Sequence, residues 1–143
     1  MDVMKIIGRT MELFNLDVSE NKMAIDLSLK NSKILVLGAA GTIGQAITVE
    51  LFKRDPKILH AVDISENNLV ELVRSIRSSH GYSTGEFKTY CLDIGSREFG
   101  CFMSAFATYD YIFNLSALKH VRSEEDPYTL MRMLRSNIFN AIN

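Results

Sequence analysis

The residues with the clearest chemical potential are three glycines, Gly38, Gly41 and Gly44, evenly spaced in Gly38-Ala39-Ala40-Gly41-Thr42-Ile43-Gly44. This Gly-x-x-Gly-x-x-Gly turn lies between an apolar run and a helical pattern, the context in which main-chain amides cradle a diphosphate. Gly38 permits a tight turn, Gly41 lets the backbone approach the phosphates, and Gly44 allows close helix packing. Ala40, Thr42 and Ile43 are the intervening residues expected to contact the cofactor. The first-turn N–H groups and the helix dipole both favour an anion. No Gly-Lys-Ser/Thr follows, which excludes a Walker-type loop.

Asp63 stands nineteen positions after Gly44, where a carboxylate can accept hydrogen bonds from the adenosine ribose and repel a 2′-phosphate. This favours NAD over NADP; the alternative role is a loop carboxylate that starts the next helix. Ile64 adjoins it, and Ser65 assists or caps. Asp93 can accept from the adenine amino group while Ile94 packs on the ring, although a turn next to a Ser96 cap also explains the aspartate. Leu115, Ser116 and Ala117 leave room where the nicotinamide half crosses the sheet. Lys119 and His120 follow, but a lysine is usually solvated and a lone histidine is weak evidence for catalysis.

These positions require strands that end where helices begin. Residues 33–37 are apolar and β-branched, as in a strand buried on both faces. The spacing predicts a helix over 42–53 with Ile43, Ala46, Ile47 and Leu51 inward, and Pro56 stops it. A strand at 58–62 follows, then a helix capped by Ser65, carrying Leu69, Leu72, Val73 and Ile76, and closed by His80 and Gly81. A strand at 87–92, a helix capped by Ser96 with Phe99, Phe102, Met103 and Phe106, and a buried strand at 111–115 come next. Pro127 opens a last helix through 137. Alternating strands and helices imply right-handed crossovers and a doubly wound α/β fold of the Rossmann type, with strand order 3-2-1-4. That is little more than the first half of a six-stranded dinucleotide sheet, so residues 31–143 are expected to be a truncated NAD-binding segment. Residues 1–30 form a leader: Val3, Ile7 and Phe14 could line a helical face weakened by Gly8, and a short helix starts near Ser19 and Glu20.

The whole chain has 143 residues, 47% hydrophobic, with a net charge of −1. The scattered basic residues exclude a nucleic-acid partner. No apolar run reaches the ~20 residues of a membrane span, and charges in the leader interrupt any secretory core, which points to the cytoplasm. Cys91 and Cys101 suggest neither a disulfide framework nor a metal site and are expected to be reduced, buried packing residues. The three histidines show no metal spacing.

With these residues assembled, the chain resembles the extended short-chain dehydrogenase/reductase superfamily. Within it, the likeness is to CapD-type polysaccharide-biosynthesis proteins, the nucleotide-sugar 4,6-dehydratases. It rests on 33–44, on Val62-Asp63-Ile64-Ser65-Glu66-Asn67-Asn68-Leu69, and on Ser116-Ala117-Leu118-Lys119-His120-Val121 with Asp126-Pro127 and Asn137. Ile6-Ile7-Gly8-Arg9 also resembles the segment preceding the nucleotide domain. The resemblance implies that Lys119 and Asn137 contact the nicotinamide-side ribose or phosphates. It further implies a UDP-sugar substrate, UDP-N-acetylglucosamine, and a homo-oligomer. In that chemistry the sugar is oxidised at C4, loses water across C5 and C6, and is reduced at C6. Two departures stand out: Asn114-Leu115-Ser116-Ala117 replaces His-x-Ala-Ala, and Asn140-Ala141 replaces the usual Gly-Thr. The family's Tyr-x-x-x-Lys pair is absent from these residues, so no catalytic residue is assigned and the segment is expected to bind without catalysing alone. A 4-epimerase, or a noncatalytic NAD-binding module should the protein end at 143, are the alternatives.

Overall fold

The computed structural model describes residues 6, 8, 14–106, 108–118 and 126–140. Its elements are α1 (Asn15–Lys30), β1 (Lys33–Leu37), α2 (Thr42–Phe52), β2 (Ile58–Asp63), α3 (Glu66–His80), β3 (Glu86–Cys91), α4 (Arg97–Ala105), β4 (Tyr111–Asn114) and α5 (Pro127–Leu134). A π-helical turn, Arg135–Phe139, extends α5. The four strands are parallel in the order β3-β2-β1-β4, the doubly wound arrangement that the alternating pattern predicts.

Strand alternation divides the core into two layers. Ile34, Val36, Leu59 and Ala61 pack on one face with Leu51, Phe52, Leu72 and Ile76 from α2 and α3. Leu35, Leu37 and Val62 pack on the other with Phe102 of α4. β1 and β2, covered on both faces, are almost wholly buried.

Several local expectations need correction. On α2, Leu51 is buried and Ile47 packs against the core as expected, but the rest of the inward face is Gly44, Thr48 and Phe52, while Ile43 is 68% exposed and Ala46 faces out. Close approach of Gly44 to the preceding turn sets the helix rotation, and residues four and seven positions later follow it inward. β4 is largely exposed because, among the described residues, no strand pairs with its outer edge. Cys91 and Cys101 are exposed: β3 is the other edge strand, and Cys101 precedes the inward Phe102 on α4. α1 begins at Asn15, and Ser19 donates its hydroxyl hydrogen to Leu16 O instead of capping. β3 and β4 each end one residue before their expected limits. Val3 and Ile7 lie outside the described residues.

Candidate functional site

The parallel register brings four strand ends to one edge. Leu37 pairs with Val62 and Asn114, and Asp63 pairs with Cys91. A cleft of about 330 Å³ opens at that edge, lined by residues from each of the β1, β2, β3 and β4 ends, including Gly38, Asp63, Asp93 and Ser116, and by α5 and the turn that follows it.

The glycine turn has three distinct steric environments. Gly38 has φ +72°, and a Cβ there would lie 2.7 Å from Ser116 N and Cα. Gly44 is tighter still: its Cβ would lie 2.0 Å from Gly38 O and 2.9 Å from Ala39 Cα. At Gly41 the nearest atom is Gly38 O at 3.6 Å, an ordinary contact. The protein's own packing therefore requires Gly38 and Gly44 but leaves space at Gly41. Gly41 is also the N-cap of α2, and among the described residues no side chain caps that helix. Open space before uncapped first-turn amides fits a diphosphate. Thr42 and Ile43 are exposed on that turn, whereas Ala40 is buried.

Asp63 ties this turn to the end of β2. Its Oδ2 accepts from Ala40 N and its Oδ1 from Ser65 N, both at 2.9 Å. Each carboxylate oxygen has a second lone pair, so ribose hydroxyls can still be accepted. Ser65 caps α3 by accepting from Asn68 N at 3.4 Å. Ile64, 65% exposed, lines the cleft with Asn68. Asp93 and Ile94 line it from the β3 end, with Asp93 Oδ1 accepting from Gly95 N at 2.9 Å.

Leu115, Ser116 and Ala117 line the β4 end. Asn114 Oδ1 accepts from the Ser116 hydroxyl at 2.6 Å, which fixes the small-residue segment. Asn137 is not among the lining residues: its Oδ1 accepts from Leu118 N at 2.7 Å and its Nδ2 donates to Leu118 O at 2.9 Å. It holds the main chain immediately before Lys119, which lies outside the described residues. Lining residues not anticipated from sequence are Asn68, Leu92, Leu118, Arg132, Ser136 and Asn140. The last three recur every fourth position, a helix-face signal that could have been noticed. Asp126 caps α5 by accepting from Tyr128 N and Thr129 N, with Pro127 in the first turn.

His60 was also missed as a structural centre. It is fully buried on β2, with Nδ1 2.7 Å from Tyr109 Oη and Nε2 2.9 Å from Glu86 Oε1. The rings of Tyr90, Phe102, Phe106 and Tyr109 surround it. Burial pushes the Tyr109 hydroxyl up to about 12. Lys88 and then His60, by hydrogen bonding, hold Glu86 below its ordinary value.

The family model for polysaccharide biosynthesis proteins matches residues 34–143. An uncharacterized membrane protein of Methanocaldococcus jannaschii is 31% identical over 114 residues, 80% of this chain and 31% of that protein. No helix among the described residues here is long and apolar enough to cross a membrane. Pen from Bacillus thuringiensis superposes with a TM-score of 0.65 at 27% identity, over 80% of this chain and 33% of that one. A Haemophilus influenza protein assigned as a D-mannonate oxidoreductase, solved with bound NAD, shares the fold at 14% identity. Its TM-score is 0.65, over 82% of this chain and 50% of that one. Levodione reductase shares the fold too, at 16% identity and a TM-score of 0.64, over 80% of this chain and 46% of that one. The chain spans about a third of the length of the Methanocaldococcus relative and of Pen.

Proposed function

The chain belongs to the polysaccharide biosynthesis protein family, and on that premise we propose that it is the NAD-binding portion of a nucleotide-sugar 4,6-dehydratase acting on UDP-N-acetylglucosamine. The observation that carries this proposal is the cleft in which uncapped α2 amides, an unobstructed Gly41 and the Asp63 carboxylate meet. Residues 31–143 are the cofactor unit and 1–30 its helical leader, in a cytoplasmic protein that assembles as a homo-oligomer.

The residues present fit the dinucleotide. The Gly38 to Gly44 turn would hold its diphosphate, Asp63 the adenosine ribose, Asp93 and Ile94 the adenine. Leu115, Ser116 and Ala117 would border the nicotinamide half, with Lys119 at its ribose and Asn137 supporting that segment. When bound, NAD supplies a reversible two-electron acceptor for the sugar. This chain's own contribution is orientation, together with rejection of a 2′-phosphate by the Asp63 charge.

Calorimetric titration with NAD and NADP is the test on this chain: NAD should bind, and NADP should bind more weakly. Failure of both to bind would remove the proposal. In an enzyme carrying this portion, UDP-N-acetylglucosamine should yield a product lighter by one water, whereas an isomer of unchanged mass would decide for a 4-epimerase.

A further inference from the structure

Asn140 stands in the cleft although the sequence offers it no role. Arg132, Ser136 and Asn140 all line the cleft, so one face of the last helical segment forms a wall of it. The Asn140 amide lies hard against Gly95: a Cβ on Gly95 would stand 2.3 Å from Nδ2 and 2.9 Å from Oδ1. Gly95 in turn donates its N–H to Asp93 Oδ1 at 2.9 Å. The Asn140 amide and the Asp93 carboxylate therefore both adjoin Gly95, and both line the cleft together with Ile94.

That pairing matches one purine edge. Adenine offers an amino donor at C6 beside a ring-nitrogen acceptor. An ionised carboxylate only accepts, whereas a side-chain amide also donates. Hypoxanthine, with a carbonyl at C6 and a protonated N1, reverses the edge: the Asp93 carboxylate then faces an acceptor, and the Asn140 amide keeps a bond only by turning its oxygen to the ring. We propose that Asn140 is a specificity-determining residue that reads the adenine edge together with Asp93, selecting adenine dinucleotides over hypoxanthine ones. This rests on the NAD-binding function proposed above. Gly95 is the enabling position, since any side chain there would displace the Asn140 amide.

Calorimetric titration with NAD and with nicotinamide hypoxanthine dinucleotide tests it. If each of the two contacts contributes about tenfold, the unmodified protein prefers NAD by roughly a hundredfold. Asn140→Ala should lower that preference to about tenfold, chiefly through lost NAD affinity. Asn140→Asp keeps the shape, and hence the contact with Gly95, but replaces the donor with an acceptor. It should lower the preference further, by strengthening hypoxanthine binding. A preference unchanged in both variants would overturn the role of Asn140 while leaving the NAD site standing. No NAD binding by the unmodified protein would overturn both.

Discussion

Replacing Gly44 and Gly41 one at a time by alanine separates the demands of folding from those of the ligand. At Gly44 the new methyl would lie 2.0 Å from Gly38 O, with Ala39 Cα and C at 2.9 Å. All three atoms are backbone of the turn after β1, so relief requires moving α2 off that turn by roughly 1 Å even to reach a distance near the tolerated limit. Alanine gains about 1 kcal/mol in helix propensity, and overpacking of this kind costs about 3 kcal/mol. The clash wins, leaving a net loss of about 2 kcal/mol. For a chain of this size that lowers the melting temperature by roughly 8 °C. At Gly41 the nearest atom is 3.6 Å away and φ is −72°, which alanine adopts freely. Only the weaker N-cap preference is lost, under about 1 kcal/mol, but the methyl occupies the approach proposed for the diphosphate. Circular-dichroism melts and NAD titration should show Gly44→Ala destabilised, and Gly41→Ala nearly as stable as the unmodified protein but at least tenfold weaker in NAD affinity, about 1.4 kcal/mol. If Gly41→Ala binds NAD normally, or Gly44→Ala melts no lower than the original, the steric reasoning is wrong.

Asp63→Ala should weaken NAD binding by about tenfold and narrow the difference between NAD and NADP, as read by calorimetry. Thr48 is fully buried on α2, and its hydroxyl has no hydrogen-bond partner among the described residues; Thr48→Val should raise stability by about 1 kcal/mol in urea unfolding, and a loss would show that the hydroxyl is satisfied. Glu86 has a folded-state pKa held below its ordinary 4.5, first by Lys88 and then by His60. Its contribution is therefore present above about pH 4.5 and is lost as pH falls through the depressed value. The Glu86 side chain is 39% exposed, so solvent screening keeps the effect under about 1 kcal/mol. Glu86→Gln should flatten the acid limb of a plot of melting temperature against pH, and an unaltered limb would dismiss this ion pair as a contributor.

The sheet was legible because its two central strands, 33–37 and 58–63, are short apolar runs, each followed by a turn or capping signal at its end. Glycine spacing located the turn between β1 and α2, and Ser65 and Ser96 located two helix starts. The facing of α2 was legible only in part: Ile47 and Leu51 pack inward, but a steric contact of Gly44 overrides the preference of Ile43 for burial. Exposure of Cys91 and of β4 follows from their edge positions, which strand pairing decides and composition does not. The far wall of the cleft was missed because Arg132, Ser136 and Asn140 are individually ordinary polar residues; only their recurrence along one helix face gives them a common direction. Likewise, His60 has no partner nearby in sequence: Glu86 and Tyr109 reach it from other segments.

The two main-chain bonds to Asp63 bear on how cofactor preference could change. Because the same carboxylate holds Ala40 and Ser65 in place, an exchange made to admit a 2′-phosphate would also slacken the diphosphate turn. A switch to NADP would thus take at least two coordinated changes, one to welcome the added phosphate and another to re-anchor the loop. In a chain that binds NAD as proposed, a variant carrying only the first change would hold either dinucleotide poorly, so the two changes would have to arrive together.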